Sequence, residues 1–519
     1  LFFLTIGFLA NAQIVNIPDS NFKARLLGAN GGVHASTETP VYYPVSDTWG
    51  VSSSNIIDTN GDGEIQVSEA EVIKYLAIGS SGNGVNVITD LTGIESFTNL
   101  VYLESRYNRL TNINLTQNIA LKGLELYSDG LNNNLNLSQN INLMTLKCNS
   151  NSLTNLNLAN NINLEYLDCS SNLLTNLDLS QNINLKYLFC HVNQLTNLSV
   201  SGLSNLKRLI VFNNNLTDLD LSNLSSLEDL MCGSNQLTTL NLFDLINLKY
   251  ISCDSNSLTN LDFSQNINLN NIICAYNQID NLNLNGLINL INLNCSNNLL
   301  TNLDLTSFAN LLAINCGFNQ LTSLNISNLN QLEFLSCENN QIINLDLSNK
   351  PNLATLYCEA NNISNLNLDG LINLIYLTLS GNPISILDFS GINNIEQLQC
   401  MYTNITSLNV SNQTNLDLLM CGNNPSLEKI FMKNGKMESG LNLINLPNLK
   451  YVCVDEAQLT TIQNTINFSS GSSNCSVNTY CTFTPGGTFY EISGNSIFDS
   501  NNNGCDILDI NYFNLKKQV

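Results

Sequence analysis

The chain has 519 residues, of which only 11% are charged, and a formal net charge of −23. A surface this acidic repels phosphate backbones and anionic lipid, so nucleic acid and membrane surfaces are excluded as partners, while calcium, cationic protein patches and neutral glycans remain. The length exceeds what one hydrophobic core serves, which leaves several domains or a repeat array.

The first residues, up to Ala12, read as the apolar stretch of a signal peptide, and Ala10-Asn11-Ala12 supplies the small-x-small cleavage pattern. The basic leader is missing, so residues 1–12 are expected to be the remnant of an export signal. No later segment offers the ~18 uninterrupted apolar residues of a membrane span, so no membrane insertion is expected. Residues 13–85 are predicted to form an N-terminal cap. They include Asp58-Thr-Asn60-Gly-Asp62-Gly63-Glu64-Ile-Gln-Val-Ser-Glu69, which has oxygen ligands at loop positions 1, 3 and 5, Gly at 6 and Glu at 12. Ca²⁺ prefers hard oxygens in a shell of six to eight, and the spacing matches the EF-hand calcium loop. The predicted metal ligands are Asp58, Asn60, Asp62, Glu64 (through its carbonyl) and Glu69. Ser68 to Leu76 is predicted as the exiting helix and Asp19 to Leu27 as the entering one. Residues 28–57, rich in Gly, Ser and Pro, intervene between them.

Residues 86–423 are organised by an internal repeat. Twelve of the sixteen cysteines, from Cys148 to Cys421, fall on one 21-residue lattice whose two gaps hold Val211 and Leu379. The unit is L-x-x-L-x-C-x-x-N-x-L followed by T-x-L-x-L, as in Leu164 to Leu179. Extension towards the N-terminus places Leu126 and Ser105 in the same slot, giving sixteen units between Ser105 and Cys421. Alternation of Leu, Leu and Cys puts these side chains on one side of a short strand. A lone strand cannot bury that side, whereas stacked units make a parallel sheet and a continuous core. The Asn three residues after the Cys slot, from Asn151 to Asn340, is predicted to hydrogen-bond the backbone of the turn leaving the strand. Asp129 and Thr403 interrupt this ladder. The lattice cysteines are predicted to be free, buried packing residues, because neighbouring slots lie ~4.8 Å apart and odd runs cannot pair completely.

The pattern resembles the leucine-rich-repeat family, with Cys in place of the third Leu of L-x-x-L-x-L-x-x-N, over roughly residues 86–460. A 21-residue unit leaves no room for a convex helix and resembles the internalin-type bacterial arrays. The resemblance implies a repeat solenoid: a leucine-rich-repeat horseshoe or right-handed coil with a parallel β-sheet on the concave face, little helix, and a small α cap at the N-terminus. Ile17-Pro-Asp-Ser-Asn-Phe-Lys23 followed by a calcium loop is similar to secreted Bacteroidetes-type members, which implies a structural Ca²⁺ in the cap.

After Cys421 the lattice fails. Residues 424–448 read as an insertion, and Leu449-x-x-Val452-x-Val454 restores the pattern one residue out of cysteine phase, turning Cys453 outward. Residues 424–481 are thus predicted as insertion and C-terminal cap. The four off-lattice cysteines, Cys453, Cys475, Cys481 and Cys505, are expected to form two disulfides, with Cys453 joined to Cys475 or Cys481. Residues 482–519 resemble the opening of a β-sandwich module that continues into a further C-terminal part, and Asp499, Asn501 and Asn503 could equally be a second calcium site or a turn.

No nucleophile elbow, paired-His motif or phosphate loop occurs, so no catalytic residue and no enzyme activity are expected. Residues flanking the core cysteines face the concave side, where curved arrays dock partners. Tyr166, Tyr187, Phe189, His191, Arg208, Phe212, Met231 and Tyr250 cluster there, with a thinner line at Phe334, Tyr357 and Tyr376. Exposed aromatics with Arg anchor protein interfaces or stack on sugar rings, although aromatics can also pack against one another across a sheet. The sequence therefore predicts a secreted or cell-surface binding or adhesion module for a protein or glycan. The alternatives are a passive spacer, or a fragment of an enzyme whose catalytic domain lies elsewhere.

Overall fold

The computed structural model describes residues 13–28, 34–44, 46–80, 82, 84–111, 113–132, 135–469, 471 and 475–481, with the backbone of 496–498 and 510–512. The expected signal segment, Cys505 and the Asp499–Asn503 turn lie outside the described residues.

Short strands of the L-x-x-L-x-C segments stack into one sheet of nineteen strands. The first, His34–Ser36, runs antiparallel to Tyr75–Ala77, and the other eighteen are parallel. The register repeats without slip: Tyr166, Tyr187, Arg208, Asp229 and Tyr250 are direct neighbours on five successive strands. In each strand the central Leu or Ile and the Cys slot point inward. All twelve lattice cysteines are fully buried and free, as predicted, and burial pushes their thiols up, so they pack as small apolar groups. This is a leucine-rich-repeat solenoid with little helix.

Backbone polarity inside the coil is satisfied by the Asn ladder. Asn172 Nδ2 donates to the carbonyls of Cys148 at 3.0 Å, Cys169 at 3.1 Å and Ser170 at 3.2 Å, while its Oδ1 accepts from Leu153 N–H at 3.0 Å. Each Asn thus ties its own turn to the preceding coil. At Thr403 the ladder continues through a hydroxyl, which donates to Asn424 Oδ1 at 2.9 Å. The turn requires a left-handed residue just before the Asn, and Val192, Tyr276 and Phe318 all adopt φ 54° there. Asp178, Asp220 and Asp262 accept the N–H two residues on, which holds their carboxyls below the ordinary range and explains their recurrence as turn chemistry.

The sheet is longer at both ends than the cysteine lattice indicates. Its parallel part begins with Tyr75–Ala77, where Ile78 fills the core slot, and ends with Gly440–Asn442, where Leu443 does. Hence the predicted exiting helix is one turn only, α2 (Val67–Ala70), because Leu76 and Ile78 are drawn into the core. The entering helix is α1 (Ser20–Leu26), capped by Asp19, whose Oδ1 accepts from Asn21 and Phe22 N–H at 2.9 Å each.

Residues 424–448 are not an insertion. Leu441 pairs in register with Leu419, and a second sheet runs Ser407–Asn409, Lys429–Phe431, Tyr451–Cys453 and Ser476–Asn478. Leu408, Ile430 and Val452 are neighbours in that sheet. Leu449-x-x-Val452-x-Val454 therefore belongs to the T-x-L-x-L side of the coil, not the cysteine side. The two sides carry the same apolar spacing, so spacing alone does not tell one from the other. Cys453 does face away from the core, but it is fully buried rather than exposed. It pairs in register with Asn478 of the closing strand Ser476–Asn478, and it is bonded to Cys481 with Cα atoms 5.3 Å apart. Cys475 is free and half-buried.

Candidate binding surface

The outward-facing positions of strands Tyr166–Asp168 to Tyr250–Ser252 carry the predicted aromatic cluster. Tyr166 lies 5.9 Å from Tyr187 and 5.2 Å from Phe189, and His191 stacks on Phe212 at 4.5 Å with 24° between planes. Arg208 Nε donates to Asp229 Oδ2 at 2.8 Å. Met231 and Tyr250 follow on the next strands of the same face. All eight are partly exposed. Burial lowers the pKa of His191 against the opposing pull of Asp168, and burial raises the Asp168 carboxyl. The surface also carries the Arg208–Asp229 pair and the flanking pairs Lys186–Glu165 and Lys249–Glu228.

One major occupant of this face was not anticipated from the sequence. Val41–Tyr43 and Thr48–Gly50 form an antiparallel hairpin lying over the N-terminal strands of the main sheet. Trp49 Nε1 donates to Thr145 Oγ1 at 2.8 Å, and Tyr42 packs on the indole at 5.2 Å. Asp47 Oδ2 meets Lys147 Nζ at 2.8 Å, Glu125 meets it from the other side at 3.1 Å, and the ammonium sits 5.4 Å from the Tyr166 ring centre. Burial opposes the Lys147 charge, but Glu125 and Asp47 outweigh it and raise its pKa. Tyr166 is therefore a wall between hairpin and open surface, which begins at Tyr187. The available signal was Val-Tyr-Tyr and Thr-Trp-Gly flanking a Pro-Val-Ser-Asp turn.

The second line is partly realised: Phe334 and Tyr357 meet edge-on at 5.8 Å. Beside it, Ser336 and Thr378 donate to the carboxylates of Glu338 and Glu359. Elsewhere, a groove of about 470 Å³ is lined by Glu333, Asn352, Asn373, Asn394 and Glu396.

In the cap loop, Asp58 Oδ1 accepts from Gly61 N–H at 2.7 Å, Oδ2 from Gly63 at 3.0 Å, and Asp62 Oδ1 from Glu64 at 2.9 Å. Asn60 Oδ1 accepts from Asp62 N–H at 2.9 Å. Glu69 folds back, taking Thr59 N–H at 2.7 Å and Gln66 N–H at 3.0 Å, and the Glu64 carboxylate pairs with Lys23 at 2.6 Å. The turns curl all five predicted residues into one loop of hard oxygens. Among the described residues, no group of three His, Cys, Asp or Glu side chains gathers closely enough to hold an ion unaided. The amide of Asn60 and a backbone carbonyl would have to share the shell, as the loop spacing implies.

The class defined by this architecture is the leucine-rich-repeat solenoid of internalin-like form. The functional domain of InlJ from Listeria monocytogenes, described as including a cysteine ladder, is similar at 29% identity and TM-score 0.62, over 81% of this chain and 82% of that one. A leucine-rich-repeat protein of Leptospira interrogans (23% identity, TM-score 0.54, 79% and 97% covered) and YopM from Yersinia enterocolitica (21%, 0.54, 78% and 91%) share the fold. No family model and no curated protein matches the sequence.

Proposed function

We propose that this chain is an extracellular or cell-surface recognition module, and that it binds a protein through the open aromatic surface of the main sheet. The observation carrying this reading is the contiguous set Tyr187, Phe189, His191, Phe212 and Arg208, partly exposed on a regular scaffold whose remaining face positions are mostly small or amide side chains. Such rings beside a fixed Arg are the usual anchors of an interface. The InlJ domain, with its cysteine ladder, supports the reading by likeness. A glycan is the second ligand class, favoured by the amide-lined groove around Asn352 and Asn373. The reading assigns binding, with no catalytic residues.

The test is a screen of the full chain, with calcium, against protein and glycan arrays beside a Tyr187/Phe189/Phe212→Ala variant. A protein hit lost in a variant of unchanged melting temperature is expected. Binding that survives moves the site off the cluster, and a glycan hit favours the groove. No binding at all leaves the spacer reading.

We also propose that the loop of Asp58, Asn60, Asp62, Glu64 and Glu69 holds a structural Ca²⁺. A bound ion would neutralise acidic oxygens that now rely on loop N–H groups. Chelation is expected to lower the melting temperature, and calcium to restore it, reflecting about 1–3 kcal/mol. Identical melting curves under both treatments would remove the ion from the account.

A further inference from the structure

The outermost rank of the main sheet reads Tyr75, Tyr102, Gly123, Thr145, Tyr166 and Tyr187 on six successive strands, all in register. Four of the six are tyrosines, and Tyr75 and Tyr102 stack at 4.9 Å with 19° between rings. The row of rings has one gap, at Gly123 and Thr145. Trp49 of the hairpin fills it, stacked 6.0 Å from Tyr102 with 30° between the ring planes. The gap is shaped for an indole: a Cβ at position 123 would stand 2.6 Å from Trp49 Nε1, and Thr145 Oγ1 receives the indole N–H. The ring is 8% exposed.

The hairpin itself is weakly attached. Its strands pair only with each other, so no backbone ladder joins them to the main sheet. Trp49, Val101 and Tyr102, with Tyr42 and Tyr75 against them, form a cluster separate from the core of the array. Two paired strands of three residues are at best marginal alone. Lifting the hairpin therefore breaks one small cluster, the Trp49–Thr145 hydrogen bond and the contacts of Asp47 with Lys147 and Tyr166, none of which belongs to the core of the array.

We propose that the notch at Gly123–Thr145 is an indole-binding site, occupied by Trp49 of the same chain and open to exchange with an exposed tryptophan of a protein partner. Exchange would extend the open aromatic face from Tyr187 back to Tyr75. The exchange step rests on the reading of this face as a protein-binding surface, whereas the indole site stands without it.

The full chain carrying Trp49→Ala is the test, with N-acetyl-tryptophanamide as probe. The array core does not include Trp49, so the main melting transition should remain. Calorimetry should then show saturable binding, one probe per chain, which is absent in the unaltered protein. Adding Gly123→Leu should abolish it by filling the notch. Adding Thr145→Val should weaken it roughly tenfold by removing one hydrogen bond. No saturable binding to folded Trp49→Ala chain, or equal binding with Leu at 123, overturns the site. Should Trp49→Ala fail to fold, amide exchange of the unaltered chain decides. Amides of 41–50 exchanging well before those of the main strands support a removable hairpin, and equal protection refutes it. None of these outcomes depends on a partner emerging from the array screen, so the two proposals can fail separately.

Discussion

Replacing Asn298 with Ala is expected to cost about 2–3 kcal/mol. Asn298 is buried in the middle of the run of seven consecutive cysteines. Its Nδ2 donates to the carbonyls of Cys274, Cys295 and Ser296 at 3.0, 3.1 and 3.2 Å, and its Oδ1 accepts from Ile279 N–H at 3.0 Å. Alanine strands the Ile279 N–H where little water can reach, while the carbonyls of Cys274, Cys295 and Ser296 keep donors from Asn277, Asn319 and the Tyr276 N–H. The orphaned N–H alone costs about 1–3 kcal/mol, and the three carbonyls each lose one of two donors. Urea unfolding should shift accordingly, and amide exchange should accelerate in the two coils that Asn298 joins. A loss below about 1 kcal/mol, or an exchange change spread evenly along the array, would mean that the ladder is dispensable.

The opposite sign is expected at Asp129, where Asp129→Asn should stabilise the protein at neutral pH. Asp129 occupies a ladder position, is fully buried, and accepts from Asn108 N–H at 2.9 Å through Oδ1. Its Oδ2 is buried without a partner, in the place where an Asn would present its donating amide to backbone carbonyls. Burial pushes the carboxyl up to about 7, Glu104 on the neighbouring strand adds to the rise, and hydrogen bonds from Asn108 and Ser105 oppose it. In the unfolded chain the group titrates near 3.9. The folded form therefore keeps a proton that the unfolded form loses between about pH 4 and 7. Stability from this group is complete below about pH 4, falls as pH rises to 7, and is flat beyond. The variant should exceed the unaltered protein by up to about 4 kcal/mol at pH 8, with the gap closing towards pH 4. A gap independent of pH, or a variant less stable at pH 8, would show that Asp129 is ionised and satisfied.

The solenoid was legible because its signal is redundant. Sixteen units repeat one register, so an error in any of them is outvoted, and the buried Leu, Cys and Asn positions follow directly from alternation. The ends were not legible for the converse reason. Leu449-x-x-Val452-x-Val454 has the spacing of either side of the coil, and only the stacking partners Ile430 and Leu408 reveal which side it is. The cap strand Tyr75–Ala77 lacks a cysteine to mark it. The candidate surface was half legible. Tyr166 and Phe189 could be placed by register alone, but the hairpin covering that neighbourhood depends on Trp49 meeting Gly123 and Thr145, residues 74 and 96 positions away. No local pattern encodes a contact of that span.

The two ends of the coil also differ in how they would respond to a mechanical load. A chain pulled by its ends transmits tension along the stack, and each coil is held only by its neighbours. The Cys453–Cys481 bond, spanning 28 positions, makes the last segment inextensible under oxidising conditions. The first segment is fastened only by non-covalent contacts, those of α1, the strand His34–Ser36 and the hairpin. Rupture should therefore start at the N-terminal end and advance coil by coil, each step releasing roughly 70 Å of contour. The resulting extension trace would be a series of evenly spaced force drops, and the molecule would act as a directional extensible tether whose reach grows in fixed increments.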